Sequence, residues 1–188
     1  MAGVVASFRR ARKGGISVTF GTDESRVLRH VLAEMVELVG PGDASGTPDD
    51  DPLAVAIGIG TSTQAPADPA LARLFPDGYS DDPEASADFR RYTEPGLRGA
   101  KLLALQTALA TVGEPGERVT LTSDQAEAWL RALNDTRLVL GERLGITDEI
   151  EAVIESLGED DPRLALFWVY DRLTFLQETL VQAIWTGP

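Results

Sequence analysis

The stretch TSDQAEAWLRALNDTRLVLGERLG, residues 122–145, decides the fold class. Thr122 followed three residues later by Gln125 marks a capping box, in which each side chain takes up one of the unpaired N–H groups at a helix start. Leu130, Leu133, Leu140 and Leu144 then recur at helical spacing. Gly145 supplies the stop, because glycine adopts the left-handed conformation that ends many helices. A segment of this length with both ends signalled predicts a long helix and a mainly α chain.

Outward toward the C-terminus, a helix is expected over 148–157, and Asp161-Pro162 opens a last one that runs to Ile184. In the other direction, Val119-Thr120-Leu121 has strand character and Gly113 to Glu117 a turn. A helix with Leu97, Leu102, Leu105 and Leu109 on one face is expected from Glu94 to Val112, capped by Thr93, with a separate short helix across Ala85 to Tyr92. Asp68-Pro69 starts a short helix to Phe75, and Asp51-Pro52 opens an apolar turn from Leu53 to Ile57. Residues 40–51 and 60–67 read as acidic or polar linkers. Val27, Leu28, Val31, Leu32, Met35, Leu38 and Val39 form one helical stripe, capped by Thr22 or Asp23 and ended at Gly40. Ile16, Val18 and Phe20 alternate with Ser17 and Thr19, and Lys13-Gly14-Gly15 offers a turn, so residues 4–20 read as a hairpin. The fold expected is one domain over 1–188, mainly α, with about six helices and a small N-terminal β-hairpin. Residues 119–121 would extend the hairpin to a three-stranded mini-sheet.

Composition narrows the chemistry. The 188 residues include no cysteine, which excludes disulfides, thiolate metal sites and thiol catalysis. His30 is the single histidine, so a multi-histidine metal site is excluded as well. No apolar run follows the early arginines as in a signal peptide, and none approaches the roughly 18 residues of a membrane span. A cytoplasmic protein with no membrane partner is expected. The net charge is −13, unevenly spread. Residues 1–22 hold no Asp or Glu but four basic side chains, leaving thirteen basic against thirty acidic from Gly14 onward, a net −17. Such a body repels phosphate backbones and favours basic protein surfaces.

Three constellations merit weighing. Arg9, Arg10, Arg12 and Lys13 make the hairpin basic, which suits a charge-protected sheet edge, a β-ribbon contact to DNA, or docking on an acidic strip of a protein partner or second copy of the chain. His30 shares an outer helix face with Arg26, Glu34 and Glu37, and reads as a solvated side chain. The acidic runs 49–51, 81–82 and 159–161 lack calcium-loop spacing and read as loop charge and helix caps. No Gly-rich phosphate loop and no nucleophile–base set is visible, so no catalytic, metal or cofactor site is expected. The most informative residue is Arg137, which falls in the apolar stripe between Leu133 and Leu140. Asp171 sits among Phe167, Trp168, Thr174, Phe175 and Glu178 on the last helix. A buried lone charge is costly, so a structural Arg137–Asp171 pair is expected, with Asp135 and Glu178 as competing acids.

Four stretches also carry a family resemblance: RLFPDGYSDD (73–82), DFRRYTEPGLRGAK (88–101), WLRALNDTRLVLGERLGI (129–146) and VYDRLTFLQETLVQAI (169–184). With the hairpin and first helix, they resemble an actinobacterial family long labelled a domain of unknown function, one mycobacterial member of which is an oxidative-stress transcriptional regulator. The resemblance covers almost the whole chain outside the two linkers. Its most specific element is Asn134-Asp135-x-Arg137, unusual inside a helix. It implies a cytoplasmic regulator that binds a protein partner, such as a stress sigma factor or RNA polymerase. Redox sensing in that member is attributed to a cysteine pair, which this chain lacks, so no redox site carries over. The expected function is therefore a regulatory protein-binding domain without enzymatic activity or cofactor. The alternative is a direct DNA-binding regulator using the basic hairpin.

Overall fold

In a computed structural model that describes residues 6–12, 14–40, 64–79, 81–146, 154, 157–158 and 161–185, the N-terminal hairpin turns on two glycines. Gly14 and Gly15 have φ of 91° and 77°, and a Cβ on Gly15 would lie 2.5 Å from the Leu121 carbonyl oxygen. A side chain there is excluded by both backbone conformation and space. The turn joins β1 (Arg9–Arg10) to β2 (Ile16–Thr19), and β2 pairs on its other side with β3 (Arg118–Leu121). All pairing is antiparallel in the order β1-β2-β3, with Ser17 opposite both Arg9 and Thr120. The three-stranded sheet expected from residues 119–121 is present.

Five helices are described: α1 (Thr22–Val39), α2 (Pro69–Leu74), α3 (Pro83–Ala110), α4 (Ser123–Leu144) and α5 (Arg163–Trp185). The α1 stripe buries Leu28, Leu32, Met35 and Val39. Its N-cap is Gly21 without a side-chain bond, so neither Thr22 nor Asp23 caps it; Asp23 and Glu24 instead lie in the first turn, where the helix dipole favours acids. Asp68 caps α2 through a 2.9 Å bond from the Ala70 N–H. The capping box of Thr122 and Gln125 is made in both directions, and Gly145 closes α4 at φ 62°. The expected turn at 53–57 and most of the expected helix at 148–157 lie outside the described residues, as does much of the two linkers.

One expectation fails at Pro95. Two helices were expected to meet near Thr93; instead α3 runs unbroken through the proline. Thr93 does not cap: its hydroxyl donates back to the Phe89 carbonyl at 2.7 Å. Proline in a helix interior removes one hydrogen bond and clashes with the preceding turn. The Glu94 carboxylate spans the weak point, accepting from Arg90 at 2.6 Å and from Arg98 at 2.7 Å. Both partners lie four residues away along the helix, where side chains meet.

Helix α4 is the centre of the molecule and touches α1, α2, α3 and α5. Trp129 is fully buried, its ring 5.5 Å from Phe8 and 5.7 Å from Phe20, centroid to centroid. Its indole N–H donates to the Thr111 hydroxyl at 2.8 Å, which meets the requirement of a buried polar hydrogen. Because neighbours surround α4, its buried residues are Ala126, Trp129, Ala132, Leu133, Asp135, Thr136 and Val139, while Leu130, Leu140 and Leu144 of the expected stripe are half-buried.

Candidate functional site

Arg137 projects from α4 toward α5 and is half-buried. Its Nε donates to Thr174 Oγ1 at 2.9 Å, Nη1 to Gln177 Oε1 at 2.8 Å, and Nη2 to the Tyr170 hydroxyl at 3.4 Å. The guanidinium carbon lies 5.3 Å from the centre of the Tyr170 ring. Every one of these partners is neutral. The expected ion pair with Asp171 is not made: Asp171 is exposed, and no described carboxylate pairs with Arg137. The reason lies in which face α5 buries. Phe167, Leu173, Leu176, Leu180 and Ala183 face inward, which turns Asp171 to solvent together with Trp168 and Phe175, 55% and 40% exposed. Glu178 is exposed too, and Asp135 accepts from Lys101 Nζ at 2.8 Å.

Beside Arg137 opens a cleft of about 310 Å³, walled by Arg73, Leu138, Gly141, Glu142, Gly145, Ile146 and Tyr170. Arg73 faces Glu142 across 3.3 Å, so these two charges offset each other, and no carboxylate among the described residues offsets that of Arg137. At 38% exposure Leu138 adds an apolar rim.

The basic hairpin lies elsewhere. Arg9, Arg10 and Arg12 are exposed, and Arg9 Nε reaches Ser7 Oγ at 3.2 Å. Lys13 lies outside the described residues. The hairpin is not a loose appendage: the Phe8 N–H donates to Thr179 Oγ1 of α5 at 3.2 Å. His30 is exposed beside Glu34 and Glu37, as a solvated outer face requires.

Two charge clusters were not anticipated. Arg90 is buried and donates to Asp77, Glu94 and the Phe75 carbonyl, at 2.7, 2.6 and 3.2 Å. Burial alone would lower its pKa, but hydrogen bonds and charge from Asp77 and Glu94 outweigh that and hold it above the ordinary value. Arg98 lies 4.4 Å above the Phe75 ring and donates to the Val39 carbonyl at the end of α1. The signal was available, since Arg90, Glu94 and Arg98 stand four apart in sequence. The second cluster is on α5, where Arg172 bonds Glu24 at 2.6 Å, donates to the Ala6 carbonyl and lies 4.9 Å over the Phe175 ring. Nothing local in the sequence marks the contacts with Glu24 and Ala6, because both are more than a hundred residues away.

Residues 5–184 match a family described as a domain of unknown function, DUF2017. The chain belongs to this family. Among similar members, the oxidative stress regulator AosR of Mycobacterium tuberculosis is 38% identical over 172 residues, covering 84% of this chain and 77% of that protein. The protein of the same name from Mycobacterium bovis gives the same figures. A putative oxidative stress regulator AosR of Mycobacterium leprae is 33% identical over 174 residues, covering 86% and 78%. These DUF2017 relatives bear names of regulators, not of enzymes. No solved structure matches the chain. No helix among the described residues is long and apolar enough to cross a membrane. The DUF2017 stretch around Asn134-Asp135-x-Arg137 thus supplies two different things. Asp135 anchors α4 to α3 through Lys101, and Arg137 faces the cleft.

Proposed function

We propose that the chain is a regulatory protein-binding domain of transcription, acting without catalysis through a stress sigma factor or RNA polymerase in the cytoplasm. The observation that supports this reading best is the outer face of α5. Trp168 and Phe175 stand seven residues apart on one side of the helix and are exposed. Arg172 between them is fixed in place by Glu24. Tryptophan and arginine dominate binding hot spots, and an arginine already held in place loses little freedom on docking. The likeness to oxidative stress regulators gives the reading its biological direction. The experiment measures binding of purified sigma factors and core RNA polymerase from the source cell to the chain and to its Trp168→Ala/Phe175→Ala variant. The expected result is one partner bound by the parent chain and weakened at least about 30-fold by the variant, the scale of a hot-spot loss. Equal affinity for both proteins would overturn the assignment of this face.

The exposed arginines of β1 favour a second reading, direct DNA contact. Replacing Arg9, Arg10 and Arg12 by serine, and measuring DNA affinity against salt, separates the two. Phosphate contacts give a steep decline with salt in the parent chain and a shallower one in the variant.

A further inference from the structure

The Arg137 cleft has the attributes of a ligand site that the docking face on α5 does not use. We propose that it binds a small organic monocarboxylate with an apolar body, the carboxylate on Arg137 and the body against Leu138 and Tyr170. Arg137 uses three of its donors on Thr174, Gln177 and Tyr170. A guanidinium has five, in a planar fork that matches a carboxylate. Its orientation is set in advance by those three bonds, so a ligand meets the remaining donors on a group already held in place. The cleft's size, about 310 Å³, falls at the lower end for small-molecule pockets.

Charge selects the ligand class. Among the described residues the lining holds two arginines and one carboxylate, Arg73, Arg137 and Glu142, a net charge of one positive. One negative charge completes it, whereas a dianion would meet Glu142 with charge to spare. The chain as a whole is at −13, which repels an acidic protein surface. A small anion inside the cleft is shielded from most of that charge, because interactions between exposed charges fade beyond about 8 Å at physiological salt.

The test titrates 3-phenylpropionate into the full chain, followed by amide and arginine Nε–H NMR signals. Its uncharged amide, 3-phenylpropionamide, and inorganic phosphate serve as comparison probes. The expected result is saturable shifts at Gly141, Gly145 and Arg137, with a dissociation constant of about a millimolar or tighter, ordinary for a fragment. The amide and phosphate bind at least about tenfold more weakly, and Arg137→Gln abolishes the shifts. Gly141→Met guards against a folding artefact. Its Cβ would meet only Tyr170 Cε2 at an ordinary 3.7 Å, and methionine is the better helix former. It is expected to leave the Arg137 bonds to Thr174 and Gln177 in place while filling the cleft, and so to block binding. Binding of the amide or phosphate as tight as that of the acid, binding that survives either variant, or no saturable shift would overturn the proposal. The measurement involves no transcription partner, so its failure leaves the docking reading of α5 standing.

Discussion

Arg90 and Arg137 are both arginines on helix faces that turn inward, yet they depend on opposite surroundings. Arg90 is held by two carboxylates and a carbonyl, with its side chain 3% exposed and that of Glu94 8% exposed. Removing one partner of such a buried network leaves the others uncompensated. Arg90→Met is therefore expected to destabilise the chain by about 3–5 kcal/mol, read from urea denaturation. A loss under about 1 kcal/mol would mean that Glu94 is satisfied by Arg98 alone. Arg137 has neutral acceptors and partial access to water, so Arg137→Ala is expected to cost about 1–2 kcal/mol. Asp171→Asn should change stability by less than about 0.5 kcal/mol, as at an ordinary exposed position. A double-mutant cycle between the two should give coupling near zero; a coupling above about 1 kcal/mol would restore the ion pair that the α5 orientation denies.

At the scale of elements, local sequence and structure agree at the ends of several helices, while the caps expected for α1 and at Thr93 are not made. Asp68, Asp82 and Thr122 each accept a backbone N–H at the start of a helix, and Gly145 ends one. The beginning of α5 adds an electrostatic contribution. Asp161 accepts from both the side chain and the backbone N–H of Arg163, and these bonds, the side-chain one foremost, lower its pKa below the ordinary carboxylate value. A depressed carboxyl contributes stability that is present above its unfolded pKa and is lost as pH falls through its folded pKa. The first turn of α5 is thus expected to hold at neutral pH and to loosen on acidification below the usual carboxylate range. Carboxyl-carbon NMR of Asp161 with amide exchange at Leu164 reports this. A midpoint at or above that of a model aspartate would contradict it. Helix interiors are less legible. Local signals put a helix start at Thr93, whereas α3 runs on through Pro95 with the Arg90–Glu94–Arg98 ladder spanning it.

Across the whole molecule, the two ends of the chain meet. Phe8 bonds Thr179 and packs its ring on Trp129 and Phe20, while Arg172 reaches Ala6 and Glu24. The basic hairpin is therefore built on a core residue that is 3% exposed. Phe8→Ala is expected to destabilise by about 3–5 kcal/mol, the usual range for a buried phenylalanine, measured by thermal or chemical unfolding. A loss below about 1 kcal/mol would mean that the hairpin can detach from the helices. For the same reason, deleting the hairpin is a poor test of its arginines, and point substitutions on its exposed side are the better one.

The sequence by itself determined what depends on neighbours within a few residues. The mainly α class, the glycine turn, the third strand, the caps of α2 and α4 and the buried stripe of α1 all follow from local spacing and backbone preference. The exposed arginines of β1 and the outward His30 follow from charge pattern in the same way. The tertiary structure decided which of two apolar faces α5 buries, because that helix carries aromatic or aliphatic residues on nearly every side and only packing against α4 selects one. That choice turned Asp171 to solvent, left Trp168 and Phe175 on the surface, and gave Arg137 neutral partners in place of an acid. Local periodicity is a property of one helix alone. The burial of a charge is a property of two helices and the angle at which they meet, so the candidate site took shape only with the fold.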